Sequence, residues 1–167
     1  MSDPILIKKY IFNSLKTAEG LYHRLVLLVG EAGTGKTRVL VDVADELGTT
    51  VINVNLKLAG ELLELTAKQR LLRVPTILEQ ITQEGKSTLV LDNLEILLDK
   101  NLKQDPLRLL QGFSRNRMVL TSWNGTFTGS RLLYAEPGHT EYCSYDSGDA
   151  LMVGMDGKTT VDLAKEQ

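Results

Sequence analysis

The chain has 167 residues, 43% of them hydrophobic and 24% charged, with a formal net charge of -2. That balance suits one globular domain with a real core; it excludes a disordered chain and gives no global basic signal for nucleic acid. No apolar run reaches the length of a membrane span, and Met1-Ser2-Asp3-Pro4 lacks the basic and apolar regions of a signal peptide, so a cytoplasmic protein with no membrane partner is expected.

Residues 5–22 place Ile5, Ile7, Tyr10, Ile11, Leu15 and Leu21 on one face and predict an amphipathic helix or helix pair. A continuous apolar run then predicts strand 24–29. Next come Gly30-Glu31-Ala32-Gly33-Thr34-Gly35-Lys36-Thr37, which read G-x-x-x-x-G-K-[ST], the phosphate-binding P-loop. Val39, Leu40, Val43, Ala44 and Leu47 form one face of a following helix, 36–47, and Gly48 ends it. Strand, glycine loop and helix are the context this motif requires. The glycines let the backbone approach a phosphate, and the loop's N–H groups form an anion nest at a helix N-terminus. Nucleotide contact is expected from this octapeptide and from Arg38. Lys36, expected to be exposed in the empty loop, serves the β- and γ-phosphates, and the Thr37 hydroxyl serves Mg²⁺.

Strand 50–55 follows, then a helical stretch 58–84 expected to break near Pro75, with a second helix at 76–83. Strand 87–92 is apolar and closes on Asp92, the Walker B pattern in which a carboxylate holds Mg²⁺; the alternative is a plain strand-end turn residue. Many ATPases place a glutamate directly after this aspartate, where this chain has Asn93. Glu95 reaches the attacking water if Leu94 starts a helix; otherwise it is a first-turn acid favouring the helix dipole. Short helices are expected at 94–98 and 106–111. Strand 117–121 ends in Ser122-Trp123-Asn124-Gly125. Ser122 and Asn124 are candidate γ-phosphate sensors, or simply polar strand ends. Trp123 reads as packing, with base stacking as a lesser alternative. Arg131, at the start of strand 131–134, is a candidate arginine finger supplied in trans, against an ordinary surface arginine; Arg115 and Arg117 come next. Cys143, the single cysteine, excludes an intramolecular disulfide and reads as a structural thiol. Residues 150–153 and 159–163 flank Asp156-Gly157, a hairpin signal.

These elements predict an α/β fold of P-loop NTPase type: a three-layer sandwich around a central, mostly parallel five-stranded sheet. Residues 1–145 are expected to form the core and 146–167 a tail or β-hairpin.

Gly30 to Thr37, Leu91-Asp92-Asn93-Leu94-Glu95-Ile96-Leu97, Thr121-Ser122-Trp123-Asn124-Gly125 and Leu133-Tyr134-Ala135-Glu136-Pro137-Gly138-His139-Thr140-Glu141-Tyr142 together resemble BrxF, the small P-loop proteins of type III BREX systems, which protect bacteria from phage. The resemblance covers residues 10–145. It implies a compact AAA-like ATPase using ATP and Mg²⁺ beside other BREX proteins. AAA-type ATPases carry a helical lid, and too few residues follow strand 131–134 to build one. A neighbouring subunit would then close the site, so a homo-oligomer is expected. Other readings stay open: a nucleotide-dependent switch or scaffold with negligible hydrolysis, favoured by Asn93; a small-metabolite kinase using Arg70 and Arg73; and a DNA-binding accessory subunit using Lys8, Lys9, Arg24, Lys68, Arg70, Arg73, Arg115 and Arg117.

Overall fold

A computed structural model describes residues 3–83, 88–134 and 143–160. Ser87, the 135–142 motif, the Cys143 side chain and residues 161–163 of the expected hairpin lie outside the described part.

Helix α1 (Pro4–Ala18) starts where Asp3 accepts the Ile5 amide at 2.9 Å, with Pro4 in the first turn, where a backbone N–H has no helical partner. It is a single helix that ends before Leu21. Strand β1 (Leu25–Gly30) is buried along nearly its whole length because both of its faces are covered. Leu25, Leu27 and Val29 pack with α3 (Val54–Leu62), α4 (Ala67–Gln83) and α5 (Pro106–Phe113). Val26 and Leu28 pack with α1 and α2 (Lys36–Leu47) on the other side. These are the three expected layers.

The parallel sheet runs β2 (Val51–Asn53), β3 (Thr88–Asp92), β4 (Met118–Thr128), β1, β7 (Leu151–Gly154). The fifth parallel strand is therefore 151–154, which pairs with β1, and not 131–134. The difference begins in β4, which does not stop at Thr121 but continues to Thr128. Gly129-Ser130 then forms a two-residue turn, with Gly129 at φ 57, and β5 (Arg131–Tyr134) returns antiparallel along the outer half of β4. Strand β6 (Cys143–Asp146) adds to β5. The expected 145/146 boundary falls within β6. The chain does turn back at Asp156-Gly157, where the Gly154 amide donates to the Lys158 carbonyl at 2.7 Å and Val153 bridges Thr159. The first arm of that hairpin is the sheet's own edge strand.

The 58–84 stretch breaks at residues 63–66 rather than at Pro75. Thr66 and Gln69 form a reciprocal capping box: the Gln69 amide donates to the Thr66 hydroxyl at 3.2 Å and the Thr66 amide to the Gln69 side chain at 3.0 Å. Pro75 lies inside α4, where it cannot donate to the Leu71 carbonyl. That carbonyl accepts from Gln104 Nε2 at 2.9 Å instead, so the half-buried acceptor stays paired. Among the described residues no helical lid follows β7, and no helix is long and apolar enough to cross a membrane.

Candidate nucleotide site

The site lies at the C-terminal ends of β1 and β3, beside Ser122 and Asn124 in the middle of β4, on the edge where an open α/β sheet presents its loops. Gly33 and Gly35 take φ of 82° and 93°, conformations that side chains disfavour. A Cβ on Gly30 would come within 2.8 Å of both Met155 Cγ and Thr34 Oγ1. No side chain caps α2 at Gly35, which leaves the first amides of the helix for an anion. Glu31, Ala32, Thr37 and Arg38 are exposed and Thr34 is half-buried.

Lys36 is not exposed as expected; it is 6% accessible. Its Nζ donates to the carbonyls of Gly30 and Glu31 at 2.9 and 2.8 Å, lying across the loop it serves. Burial lowers its pKa, while the carboxylates of Asp92, Glu95 and Glu31 pull it back up.

Asp92, buried at the end of β3, accepts from two hydroxyls. Thr37 Oγ1 donates to Oδ2 at 2.6 Å and Ser122 Oγ to Oδ1 at 2.5 Å. The structure thus joins the P-loop threonine, the strand-end aspartate and one sensor candidate in a single contact chain. Thr37 and Asp92 supply hard oxygen donors, which fit Mg²⁺, a cation that keeps several waters and needs few protein ligands. Among the described residues there is no group of three His, Cys, Asp or Glu that could cage a metal outright.

Asn93 adopts φ 59°, a left-handed turn that asparagine tolerates. This turn redirects the chain into a short 3-10 helix (Glu95–Leu98), whose first residue faces the site. Glu95 Oε1 accepts from Asn124 Nδ2 at 2.6 Å and Oε2 from Asn55 Nδ2 at 2.9 Å. Asn55 is a member of this cluster that sequence reasoning missed. The chain leaves β2 at Asn53, and Asn55 sits in the first turn of α3 rather than in the strand. There its amide donates to the Asn93 carbonyl at 2.9 Å and its Oδ1 accepts the Ile96 amide at 2.8 Å. The signal for it was a polar residue just past the C-terminal end of a β-branched strand, the edge where such sheets build sites.

Arg131 stands outside this cluster, exposed at the tip of the β4–β5 hairpin, with its guanidinium on the Ser144 hydroxyl. Three other arginines have structural partners. Arg70 Nε donates to the carbonyls of Leu62 and Leu65 at 3.0 and 3.1 Å at the end of α3. Arg117 donates to the Thr82 carbonyl at 2.7 Å, and Arg115 lies 5.0 Å over the Tyr22 ring. Trp123 is buried, with Nε1 on the Leu133 carbonyl at 3.2 Å and edge-on contacts to Tyr134 and Tyr145, the packing role expected of it.

No curated protein matches the chain. Among solved structures it is similar to C. elegans PCH-2, at 16% identity and a TM-score of 0.45, covering 92% of this chain and 42% of that one. It is also similar to AMPPCP-bound DnaA from Aquifex aeolicus, at 19% identity and a TM-score of 0.42, covering 70% of this chain and 36% of that one. The chain spans less than half the length of either. Residues 26–120, more than half of the chain, match the family model described as "ATPase family associated with various cellular activities", a span that runs from β1 through the P-loop and the strand-end aspartate into β4. The chain belongs to the AAA family of ATPases.

Proposed function

We propose that the chain binds ATP with Mg²⁺ at the P-loop and hydrolyses it, with Glu95 as the general base. The observation that carries this is the position of Glu95, clasped by Asn55 and Asn124 and next to the chain formed by Thr37, Asp92 and Ser122. The nest and Lys36 hold the phosphates. Thr37 and Asp92 hold Mg²⁺, which when bound offsets phosphate charge. Asn124 and Ser122 tie the γ-phosphate end to the two carboxylates. Glu95 takes a proton from the water whose oxygen bonds to the γ-phosphorus as the β–γ bridging P–O bond breaks, leaving ADP and phosphate.

Arg131 belongs to a neighbour's site in this reading. It is the one arginine between β4 and β7, and it sits on a hairpin that projects past the end of the sheet. The assembly is a homo-oligomer that works with other proteins of a BREX-type anti-phage system in the cytoplasm, with DNA as a further candidate partner. The support for that setting is the resemblance of the Asp92-Asn93-Leu94-Glu95 segment and the 133–142 segment to BrxF.

Phosphate release measured with and without Mg²⁺, DNA and partner proteins tests this reading, together with the oligomeric state with and without ATP. Mg²⁺-dependent release that rises on assembly is expected. Binding with no release under any of these conditions overturns the hydrolytic role. One observation favours the second reading, a nucleotide-dependent switch: Asn93 stands directly after Asp92, where many ATPases place the glutamate that polarises the attacking water.

A further inference from the structure

We infer that the N-terminal end of the sheet, opposite the P-loop, carries a docking surface for single-stranded DNA, built on the exposed Tyr22 ring and the guanidinium groups of Arg24, Arg115 and Arg117. This rests on the DNA partner proposed above and gives it a place and a strandedness; it does not use the nucleotide site. The six residues of β1, about 20 Å of strand, separate Arg24 from the P-loop.

The backbone brings these residues together from two distant segments. The Arg24 amide donates to the Ser114 carbonyl at 2.8 Å and the Val119 amide to the Arg24 carbonyl at 2.9 Å, so the entry to β1 lies against the entry to β4. Arg115 then reaches Tyr22, with its Cζ 5.0 Å from the ring centroid, a cation–π distance. The His23 ring stands edge-on to the same tyrosine, with centroids 4.8 Å apart. His23 is itself held by Asp149: Nδ1 lies 2.9 Å from Oδ1, and the His23 amide donates to Oδ2 at 3.2 Å. Both oxygens of Asp149, a carboxylate beside this turn, are thereby engaged.

The chemistry suits an unpaired strand. Among the exposed large hydrophobic side chains of the described residues, Tyr22, at 64% accessible, is the aromatic one. Arg115 and His23 order its ring, yet most of its surface stays open to a base. Aromatic stacking accepts any base, and it selects single strands because duplex bases are already stacked on both faces. The arginines supply the charge. Arg24 Nε has no hydrogen-bond partner among the described residues, and no described carboxylate forms an ion pair with Arg24, Arg115 or Arg117. Arg117 spends one N–H on the Thr82 carbonyl and keeps its charge. Guanidinium groups of this kind meet phosphate oxygens. In a chain of net charge -2 the cluster is local, so binding should be sensitive to salt.

Fluorescence anisotropy with labelled oligo(dT), a duplex of the same length, an abasic strand and oligo(U) tests the assignment. Wild type should bind oligo(dT) about fivefold or more tightly than the duplex or the abasic strand. Tyr22→Ala should weaken oligo(dT) about tenfold and hold the abasic strand within about twofold, while Tyr22→Phe, which keeps the ring, should bind as wild type does. Arg115→Ala, at a second exposed position, carries the test independently of Tyr22. It should weaken oligo(dT) several-fold and reduce the slope of log affinity against log salt by about 0.7, the worth of one phosphate on a single strand. Saturating the P-loop with an unhydrolysable ATP analogue and Mg²⁺ should leave strand affinity unchanged. The surface is overturned if Tyr22→Ala binds oligo(dT) as wild type does, if oligo(dT) and the abasic strand bind equally, if the salt slope survives in Arg115→Ala, or if the analogue displaces the strand. DNA that still binds in those cases keeps the partner and moves its site elsewhere. Tighter binding of oligo(U) than of oligo(dT) makes RNA the ligand and also overturns the assignment. If no polynucleotide binds, the DNA partner fails and the surface with it, while the nucleotide site stands.

Discussion

The side-chain amide of Asn124, on β4, donates to Glu95 Oε1 at 2.6 Å, beyond the end of β3. This bond brings the two residues that sequence reading treated separately, a sensor candidate and a base candidate, into one unit. Ser122, two residues earlier on the same strand, bonds Asp92 instead. The two sensor candidates therefore serve different carboxylates.

Glu95→Gln keeps the shape of the side chain and removes the base. Turnover should fall by about 10²–10⁴-fold, the usual worth of a general base, while ATP binding is spared. Single-turnover phosphate release beside equilibrium binding separates the two effects. Wild-type turnover in this variant would leave Glu95 as a helix-dipole residue only. Asp92→Ala should act differently, weakening the Mg²⁺-dependent part of binding.

Asn55→Ala should affect stability and activity together. It removes the acceptor for the Ile96 amide and one donor to Glu95 in a half-buried setting. The loss should be about 1–3 kcal/mol, visible as a lower thermal midpoint. Asn55→Asp keeps the acceptor but sets a second carboxylate against Glu95, so its activity should fall more than its stability. Unchanged melting and turnover in both variants would show that the clasp has no role.

Lys36→Ala should abolish nucleotide binding; wild-type affinity for a fluorescent ATP analogue would overturn the P-loop reading. The pH dependence carries a sign. Burial places the Lys36 pKa below the 10.5 ordinary for lysine. The charged form binds phosphate, so affinity is full below the lowered pKa and falls as pH rises through it, earlier than 10.5. Stability of the free protein runs the other way: the buried charge weighs against folding below that pKa, and stability rises between the lowered value and 10.5. Titrating analogue binding through the alkaline range checks this. Lys36→Arg should abolish the alkaline loss in whatever affinity it retains, since a guanidinium stays charged.

Mixing inactive subunits tests Arg131. Arg131→Ala and Lys36→Ala proteins, each inactive alone, should regain some hydrolysis when combined, because a mixed interface restores an intact site. A finger in trans contributes on the order of 10³–10⁵ in rate. A wild type that stays monomeric at micromolar concentration with saturating ATP analogue would falsify the finger.

Gly125→Ala should be among the most damaging single substitutions. At φ 154° a Cβ there would collide with the Leu133 carbonyl across the β4–β5 pair. Neither backbone can give way without breaking the hairpin, so a loss beyond about 4 kcal/mol is expected, in the range reserved for strain and overpacking. Chemical denaturation measures it, and a loss under 1 kcal/mol would mean that the hairpin shifts freely.

The P-loop, its helix, the apolar strands and the strand-end aspartate were legible in the sequence, because each rests on local chemistry: glycine conformations, run length and a 3.6-residue period. The capping box at Thr66-Gln69 and the Gly129-Ser130 turn were also written locally, but stronger-looking signals, Pro75 and the polar end of β4, drew the boundaries elsewhere. Pro75 is tolerated only because Gln104, distant in sequence, satisfies the carbonyl it strands. Strand order, the place of 151–154 as the fifth parallel strand, the burial of Lys36 and the clasp of Glu95 by Asn55 and Asn124 were decided by tertiary structure alone. Each depends on which strand ends come to lie side by side, and strand pairing joins residues far apart in the chain through backbone bonds that carry no residue-specific mark.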